Sequence, residues 1–549
     1  MRVKYLTKVV VIGIDAASYD LIERWKEILP NLKRLMYNGT YGILQSTTPP
    51  NTCPAWPCFY TGKNPGKFGI YDFVVINDDG KIRVIDSTAC DSLSLWEILS
   101  RSGKRVCVLN VPITYPPREV NGCMVSGFLS PFLREDYTFP LYLQKELKEI
   151  QAGFPNPIIS FKRGGEEAYL DEISRVHQMQ VKHAKYLLRK EKWDFFMVYF
   201  RALDLIQHHF WEYMDKKYQK NKHRKYANAI RDWYIRMDET IREMQHELPD
   251  DAFLMIMSDH GMQATRYVIY INEWLRQKGF LRFLPREVNA DVPLRLRLRN
   301  FFLRHVSHRL IRGFLKIVPS RLLSGATQRD LIKSDADQIF SSIDWSGTRV
   351  YSLGGTNASL YVNLRGRTPQ GIVDPEEYKQ LRTCVMESFE SFPRAEANKK
   401  IHVCMKKKEE AYWGKHIDMA PDLAIDFFVD DSKCIVSLKT GHGKIVDGRG
   451  LWVSGTHSKE GIWLMVGPGV RNNTCINAGI VDLAPTILYL LDVPIPEDMD
   501  GKVLRHGLSL TREPQYQKPM VTSARSRPTF SAEEREEMKR RLRALGYMD

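Results

Sequence analysis

The feature that most constrains this chain is a series of short, wholly apolar runs separated by amphipathic stretches. Val9–Ile14 (VVVIGI) is a β-branched run of the kind buried on both faces of a parallel sheet. Val106–Val111, Phe195–Phe200, Ala252–Met257, Leu423–Phe428 and Ile462–Val466 share its character. Between them, Leu21–Met36 carries Leu21, Ile22, Trp25, Ile28, Leu29, Leu32 and Leu35 at helical spacing, with a kink expected at Pro30 and a stop at Asn38-Gly39. Ser92–Ser102 reads as a helix, and Tyr213–His246 as one long charged helix. The alternation predicts an α/β fold with a mostly parallel central sheet flanked by helices on both faces. In such sheets chemistry gathers at the carboxyl ends of the strands, and Asp15, Asp204 and Asp259 each fall just past a predicted strand.

The 549 residues and 43% hydrophobic content are ample for a large core. No run approaches the roughly 18–20 apolar residues of a membrane span. The basic-then-apolar start, MRVKYLTKVVVIGIDAAS, continues into Asp15 and an amphipathic segment, which favours a first buried strand over a signal peptide. Nine scattered cysteines without a CxxC pair suggest neither a disulfide framework nor a cysteine–zinc site. A cytoplasmic protein, with peripheral contact to a membrane surface as a further option, is the expectation. The sequons at Asn38, Asn357 and Asn472 then carry no glycosylation meaning. A net charge of +15, from 80 Lys+Arg against 65 Asp+Glu, favours an anionic partner without choosing one. No motif specific to nucleic acid is present.

Residues 1–507 are expected to form the catalytic domain. Within it, a basic helical insertion over 285–345 carries Arg295, Arg297, Arg299, Arg304, Arg309, Arg312, Lys316 and Arg321, with Phe302, Val306, Leu310 and Leu315 at helical spacing. Residues 294–321 of this insertion read as a lid, an anionic-membrane contact or a solvated helix packed on the core. A linker and tail follow over 508–549. There Ser531 and Glu534 form a capping-box pattern for a helix through Leu545, ended by Gly546.

The chemistry-bearing residues fall in five segments. Thr47–Phe73 is a Pro-, Asn- and Gly-rich loop entering a short apolar helix, Ala55–Tyr60, that ends at Gly62. Thr52 sits at the entry with Pro54 in the first turn, where it is an N-cap or a nucleophile beside an anion-favouring helix end. Asp204 and His208 (DLIQH) share one helical face at i, i+4 spacing, with His209 turned toward packing. Asp259-His260 follows a strand and precedes Gly261, and His457 lies in a Gly-Thr loop before the last core strand. With Asp15, these are the hard and borderline ligands that a two-metal site needs around a hydroxyl.

This order of residues resembles the alkaline phosphatase superfamily, and more closely its type I phosphodiesterase/nucleotide pyrophosphatase branch. The likeness extends to the Thr-x-Pro…Thr-Gly spacing from Thr52 to Thr61-Gly62, to Gly69-Ile70 and to VDLAPTILYLLDVPIPEDMDG, and it covers most of residues 8–505 outside Leu281–Thr348. It implies that Asp15, Thr52, Asp259 and His260 surround one divalent metal while Asp204, His208 and His457 hold a second. Zinc is the usual occupant, and the ligand mix also suits Mn²⁺. The implied reaction is hydrolysis of a phosphate ester through a covalent phospho-threonine on Thr52.

One position departs from the family. An asparagine that donates to the transferred phosphoryl oxygen is replaced by Phe73, which cannot donate. A backbone N–H, Asn51, Tyr71 or a basic residue must take its place, or the substrate is not a nucleotide. No arginine stands at a spacing that identifies a clamp for further phosphoryl oxygens, which favours a diester over a monoester. The alternatives are a phosphomonoesterase, a phosphomutase or a phosphoryl transferase on the same residues, or a non-enzymatic polyanion- or membrane-binding protein using 294–321. A sulfatase reading of Cys53-Pro54-Ala55 fails because Trp56 stands where that motif needs Arg. Gly66-Lys67 lacks the remainder of a phosphate-binding loop.

Overall fold

The structure is a computed structural model. It describes residues 7–76, 82–131, 134–153, 157, 159–215, 224–285, 339–354, 358–368, 370–393, 400–430, 432–440, 443–448, 451, 453–522 and 530–544. The basic insertion expected over 285–345, with its 294–321 stretch, lies outside the described residues except at its two ends.

Val9–Ile14 forms the middle of a ten-stranded sheet and is buried along its whole length. It pairs in parallel with Phe195–Phe200 on one side and Phe253–Met257 on the other. Val106–Leu109 and Gly122–Val125 extend the parallel set beyond Phe195–Phe200. Glu460–Val466 runs antiparallel between Phe253–Met257 and Thr40–Gln45, and Thr138–Phe139 closes the opposite edge. The β-branched and aromatic residues of the central strands meet side chains on both faces, which is why these runs show no alternation. The mostly parallel α/β architecture is as expected. Among the described residues no helix is long and apolar enough to cross a membrane.

Three local expectations are corrected. Leu21–Met36 is not one kinked helix but two, Tyr19–Trp25 and Pro30–Tyr37, with Leu29 between them out of the helical region at φ −116°, ψ 68°. The ring of Pro30 clashes with a helical conformation at the residue before it. The long charged helix is likewise two, Ala202–Met214 and Ala229–Gln245. Asp215 is extended at ψ 113° and pairs with Arg266 at 2.6 Å. Leu423–Val429 is a strand, but of a separate antiparallel sheet with Val350–Ser352, Ala358–Val362 and His402–Lys407. Asp426 and Phe428 are only half-buried there, as suits a strand without two fully covered faces.

The tail returns to the body. Tyr516–Gln517 pairs with Ile495–Pro496, and Ala532–Ala544 is helical. The expected capping box is present: Ser531 N–H donates to Glu534 and Glu534 N–H to Ser531 Oγ. Glu534 also accepts from Arg134 at 2.6 Å.

Candidate active site

The helix that carries Thr52 runs from Thr52 to Thr61. Its cap is Asn51, whose side-chain oxygen accepts from Cys53 N–H at 3.0 Å, so Thr52 is the first helical residue rather than the cap. The two residues are both competent caps, and the polypeptide uses the better one. The Thr52 hydroxyl is thereby left to face the site, 3.0 Å from His260 Nε2. Gly62 ends the helix in the left-handed region at φ 66°, as glycine does most readily. The helix is seated against the central strands through Trp56, whose ring meets Tyr199 edge-on at 5.0 Å. A Cβ at Gly13 would stand 2.6 Å from that indole, so the seat requires glycine.

Three adjacent parallel strands deliver the acidic residues. Ile14 pairs with Phe200 and Gly13 with Met257, so Asp15, the Ala202–Met214 helix and Asp259 leave the sheet at one level. Ala16 takes a left-handed φ of 59°, unusual for a residue with a Cβ, and turns the chain immediately after Asp15. That turn is held by Gln207, which donates to Ala16 O at 2.8 Å, and Ala16 N–H approaches Asp259 Oδ1 at 3.4 Å. His457 arrives from the far end of the chain. Gly455–Ser458 pairs antiparallel with Gly261–Ala264, which sets His457 opposite Met262 and its ring against His260 at 3.7 Å.

Asp15, Thr52, Asp204, His208, Asp259, His260 and His457 are all buried. Each imidazole turns Nδ1 to a backbone carbonyl: His208 to Gly455 at 3.0 Å, His260 to Gly261 at 3.0 Å, His457 to Pro50 at 3.2 Å. A carbonyl only accepts, so Nδ1 carries the proton and Nε2 presents a lone pair inward. This is the orientation that metal-binding histidines adopt. The inward nitrogens crowd one another and the carboxylates. His208 Nε2 is 3.1 Å from both His457 Nε2 and Asp204 Oδ1, and His457 Nε2 is 3.5 Å from the same oxygen. His260 Nε2 lies 3.4 Å from Asp15 Oδ1 and 3.3 Å from Asp259 Oδ2.

Despite these contacts, Asp15 Oδ1, both oxygens of Asp204 and Asp259 Oδ2 receive no well-aligned hydrogen bond among the described residues. Lone pairs facing lone pairs in a dry site are unfavourable unless cations lie between them. The titration behaviour of the metal-free site follows. Burial, then the charges of Asp259 and Asp204, hold Asp15 well above the usual carboxylate range. Burial and the Asp204 charge push Asp259 up to about 7. Burial also opposes ionisation of Asp204, but in the metal-free site His208, itself raised by that carboxylate, outweighs it and, with a contact from His457, holds Asp204 low. His457 is pushed down to about 3 by burial and by His260. Two groups have ligand atoms within 4.8 Å of one another: Asp204, His208 and His457, and Asp15, Asp204 and His260. Asp204 therefore stands within reach of both, and the donor set fits two divalent cations.

Of the three residues expected to meet substrate, all are engaged elsewhere. Asn51 caps the helix and hydrogen-bonds Asp72. The Tyr71 hydroxyl donates to His416 O at 2.7 Å. Phe73 is buried and meets Phe128 edge-on at 5.8 Å. His209 stacks on Phe161 at 4.4 Å, a packing role as its position on the helix suggests. Sequence reasoning missed Tyr199, whose hydroxyl donates to Asp15 Oδ2, because it lies inside the apolar run FFMVYF. It also missed Gln207, which lies inside DLIQH, and Arg201, which caps the start of the same helix; their signal was proximity to Asp204.

A mixed α/β fold with two buried Asp/His groups able to hold metal is the arrangement of a metal-dependent hydrolase class. Residues 9–432 match the sequence profile of the family described as type I phosphodiesterase / nucleotide pyrophosphatase. The chain belongs to that family and is a phosphodiesterase/pyrophosphatase-like hydrolase. No curated protein matches it by sequence. Among solved structures it resembles murine ectonucleotide pyrophosphatase/phosphodiesterase 5, with TM-score 0.50 and 14% identity over 91% of this chain and 100% of that one. The human protein of the same name gives TM-score 0.51 and 12% identity over 92% and 100%. An inactive threonine-to-alanine form of the murine protein, in complex with AMP, gives TM-score 0.51 and 14% identity over 92% and 100%. At these identities the likeness is one of fold.

Proposed function

We propose that the chain hydrolyses phosphate diesters or pyrophosphates through a covalent phospho-threonine on Thr52. The observation that carries this reading is the placement of the Thr52 hydroxyl 3.0 Å from His260 Nε2, at the edge of a buried cluster of unsatisfied carboxylate oxygens and inward imidazole lone pairs. Asp204, His208 and His457 would hold one divalent cation, and Asp15, Asp259, His260 and Thr52 the other, with Asp204 near both. When bound, such cations acidify the hydroxyl and neutralise non-bridging phosphoryl oxygens. Zn²⁺ and Mn²⁺ both suit the donors.

Thr52 Oγ forms a bond to phosphorus as the bond to the leaving oxygen breaks, and the hydroxyl proton departs with the released alcohol or phosphate. Water then attacks the same phosphorus and Thr52 Oγ leaves, which restores the hydroxyl. His260, fixed by Gly261 O, positions Thr52 for the first step, and Tyr199 orients Asp15. Family membership supports a nucleotide-like substrate, but Phe73 removes the amide donor found in nucleotide pyrophosphatases, so the leaving group is left open.

Hydrolysis of bis-p-nitrophenyl phosphate, p-nitrophenyl phosphate and p-nitrophenyl sulfate by chelator-stripped protein resupplied with Zn²⁺ or Mn²⁺ tests the proposal. The expected result is metal-restored turnover with the diester ahead, abolished in Thr52→Ala with metal binding retained. Full activity of Thr52→Ala would overturn the covalent mechanism.

A further inference from the structure

Phe73 cannot donate to a phosphoryl oxygen, and the side chains of Asn51 and Tyr71 are already engaged. Arg201 is a basic residue next to the site. It directly follows Phe200, which pairs with Ile14, so it leaves the sheet beside Asp15 and three residues before Asp204. Its guanidinium lies 4.2 Å over the ring of Phe128, and Phe128 in turn meets Phe73 edge-on. Phe73 and Arg201 thus meet the same ring, that of Phe128. Stacking on an aromatic face holds a guanidinium in orientation without consuming its N–H donors.

The arginine is not explained as a structural ion pair. Its side chain is 12% exposed, and Nε is 4.0 Å from Asp204 Oδ2, the outer limit of a salt bridge. Its Nη2 is buried and has no hydrogen-bond partner among the described residues. A buried guanidinium nitrogen without an acceptor is costly unless a ligand supplies one. Beside a site for phosphate esters, a phosphoryl oxygen is an acceptor whose charge suits a guanidinium.

We infer that Arg201 is a catalytic residue that donates through Nη2 to a non-bridging oxygen of the transferred phosphoryl group, in place of an asparagine amide at the Phe73 position. The inference rests on the reaction proposed above. It adds that this chain recognises the reacting phosphoryl group by charge rather than by a neutral amide.

The test compares wild type with Arg201→Ala and Arg201→Lys, all metal-loaded, for bis-p-nitrophenyl phosphate turnover, for binding of inorganic phosphate by calorimetry, and for metal content. Arg201→Ala is expected to lose about 100- to 1,000-fold in kcat/KM, the usual effect of removing one donor to a developing oxyanion. Phosphate binding should weaken while metal content holds, and added guanidinium ion should restore part of the activity. A merely structural role would not respond to guanidinium. An active wild type whose Arg201→Ala form is equally active, or loses activity together with its metal and without guanidinium rescue, overturns the assignment of Arg201 alone. An inert wild type that still binds phosphate through Arg201 supports the assignment and overturns the hydrolytic reading. An inert wild type that binds no phosphate overturns both.

Discussion

Asp204 and Asp422 are both fully buried carboxylates, and their surroundings are opposite. Asp422 accepts from Arg367 at 2.8 and 2.6 Å through both oxygens, from Val362 N–H at 2.6 Å, and from the Tyr378 hydroxyl. Asp204 has two imidazoles at 3.1 and 3.5 Å and no well-aligned donor to either oxygen. One carboxylate is satisfied by the chain itself and fastens the antiparallel sheet to the 362–378 segment. The other is left for something the chain does not provide. A satisfied buried charge contributes to the fold, whereas an unsatisfied one is tolerated for a ligand.

Substitution separates the two. Asp204→Asn is expected to lower turnover at least about 1,000-fold and to abolish metal uptake. With chelator present the variant is expected to be no more stable than wild type, because His208 favours the ionised Asp204 carboxylate in the fold. Activity assays, metal analysis and chelated thermal melts on the same samples check this. A variant that keeps its metals and its rate would erase the contrast. Asp422→Ala should do the reverse. It strands Arg367 and is expected to cost about 3 kcal/mol in denaturant unfolding, with metal stoichiometry unchanged.

A smaller effect concerns Asp72, buried beside the Asn51 cap and pushed up to about 7 by burial, against the hydrogen bonds from Phe73 N–H and Asn51. Its folded value lies above the unfolded one of 3.8. The stability it contributes is therefore full below that unfolded value and is lost as pH rises through about 7. Asp72→Asn should match wild type near pH 4 and be the more stable protein near pH 8. Unfolding curves at both pH values, with chelator present to silence the metal site, decide it; equal stability at pH 8 would show that Asp72 ionises freely.

The contrast also marks what could be read from the sequence. The central strands announce themselves as unbroken apolar runs, and Asp15, Asp204 and Asp259 follow three of them, whereas Thr52 and His457 come from a loop-to-helix entry and a short strand pair that no apolar run marks. Partners brought together by folding were not legible. Arg367 and Tyr378 lie 55 and 44 residues from Asp422, and no local pattern joins them. Sequence reading offered Thr52 as the cap, and that Asn51 takes the role instead needed coordinates, because both side chains are competent acceptors. Tyr199 and Arg201 were hidden for different reasons, one inside a hydrophobic run and the other reading as an ordinary charged residue at a helix start. Leu423–Val429 has the composition of a core strand, and only its pairing shows which sheet it joins.

The central claim is that the buried carboxylate–imidazole cluster exists to hold two divalent cations beside Thr52. Equilibrium dialysis of chelator-stripped protein against Zn²⁺ or Mn²⁺, followed by elemental analysis of wild type and His457→Ala, tests it most directly. The account predicts two tightly held ions per wild-type chain and no more than one in the variant. Wild-type protein that binds neither metal, with its fold intact, would contradict it.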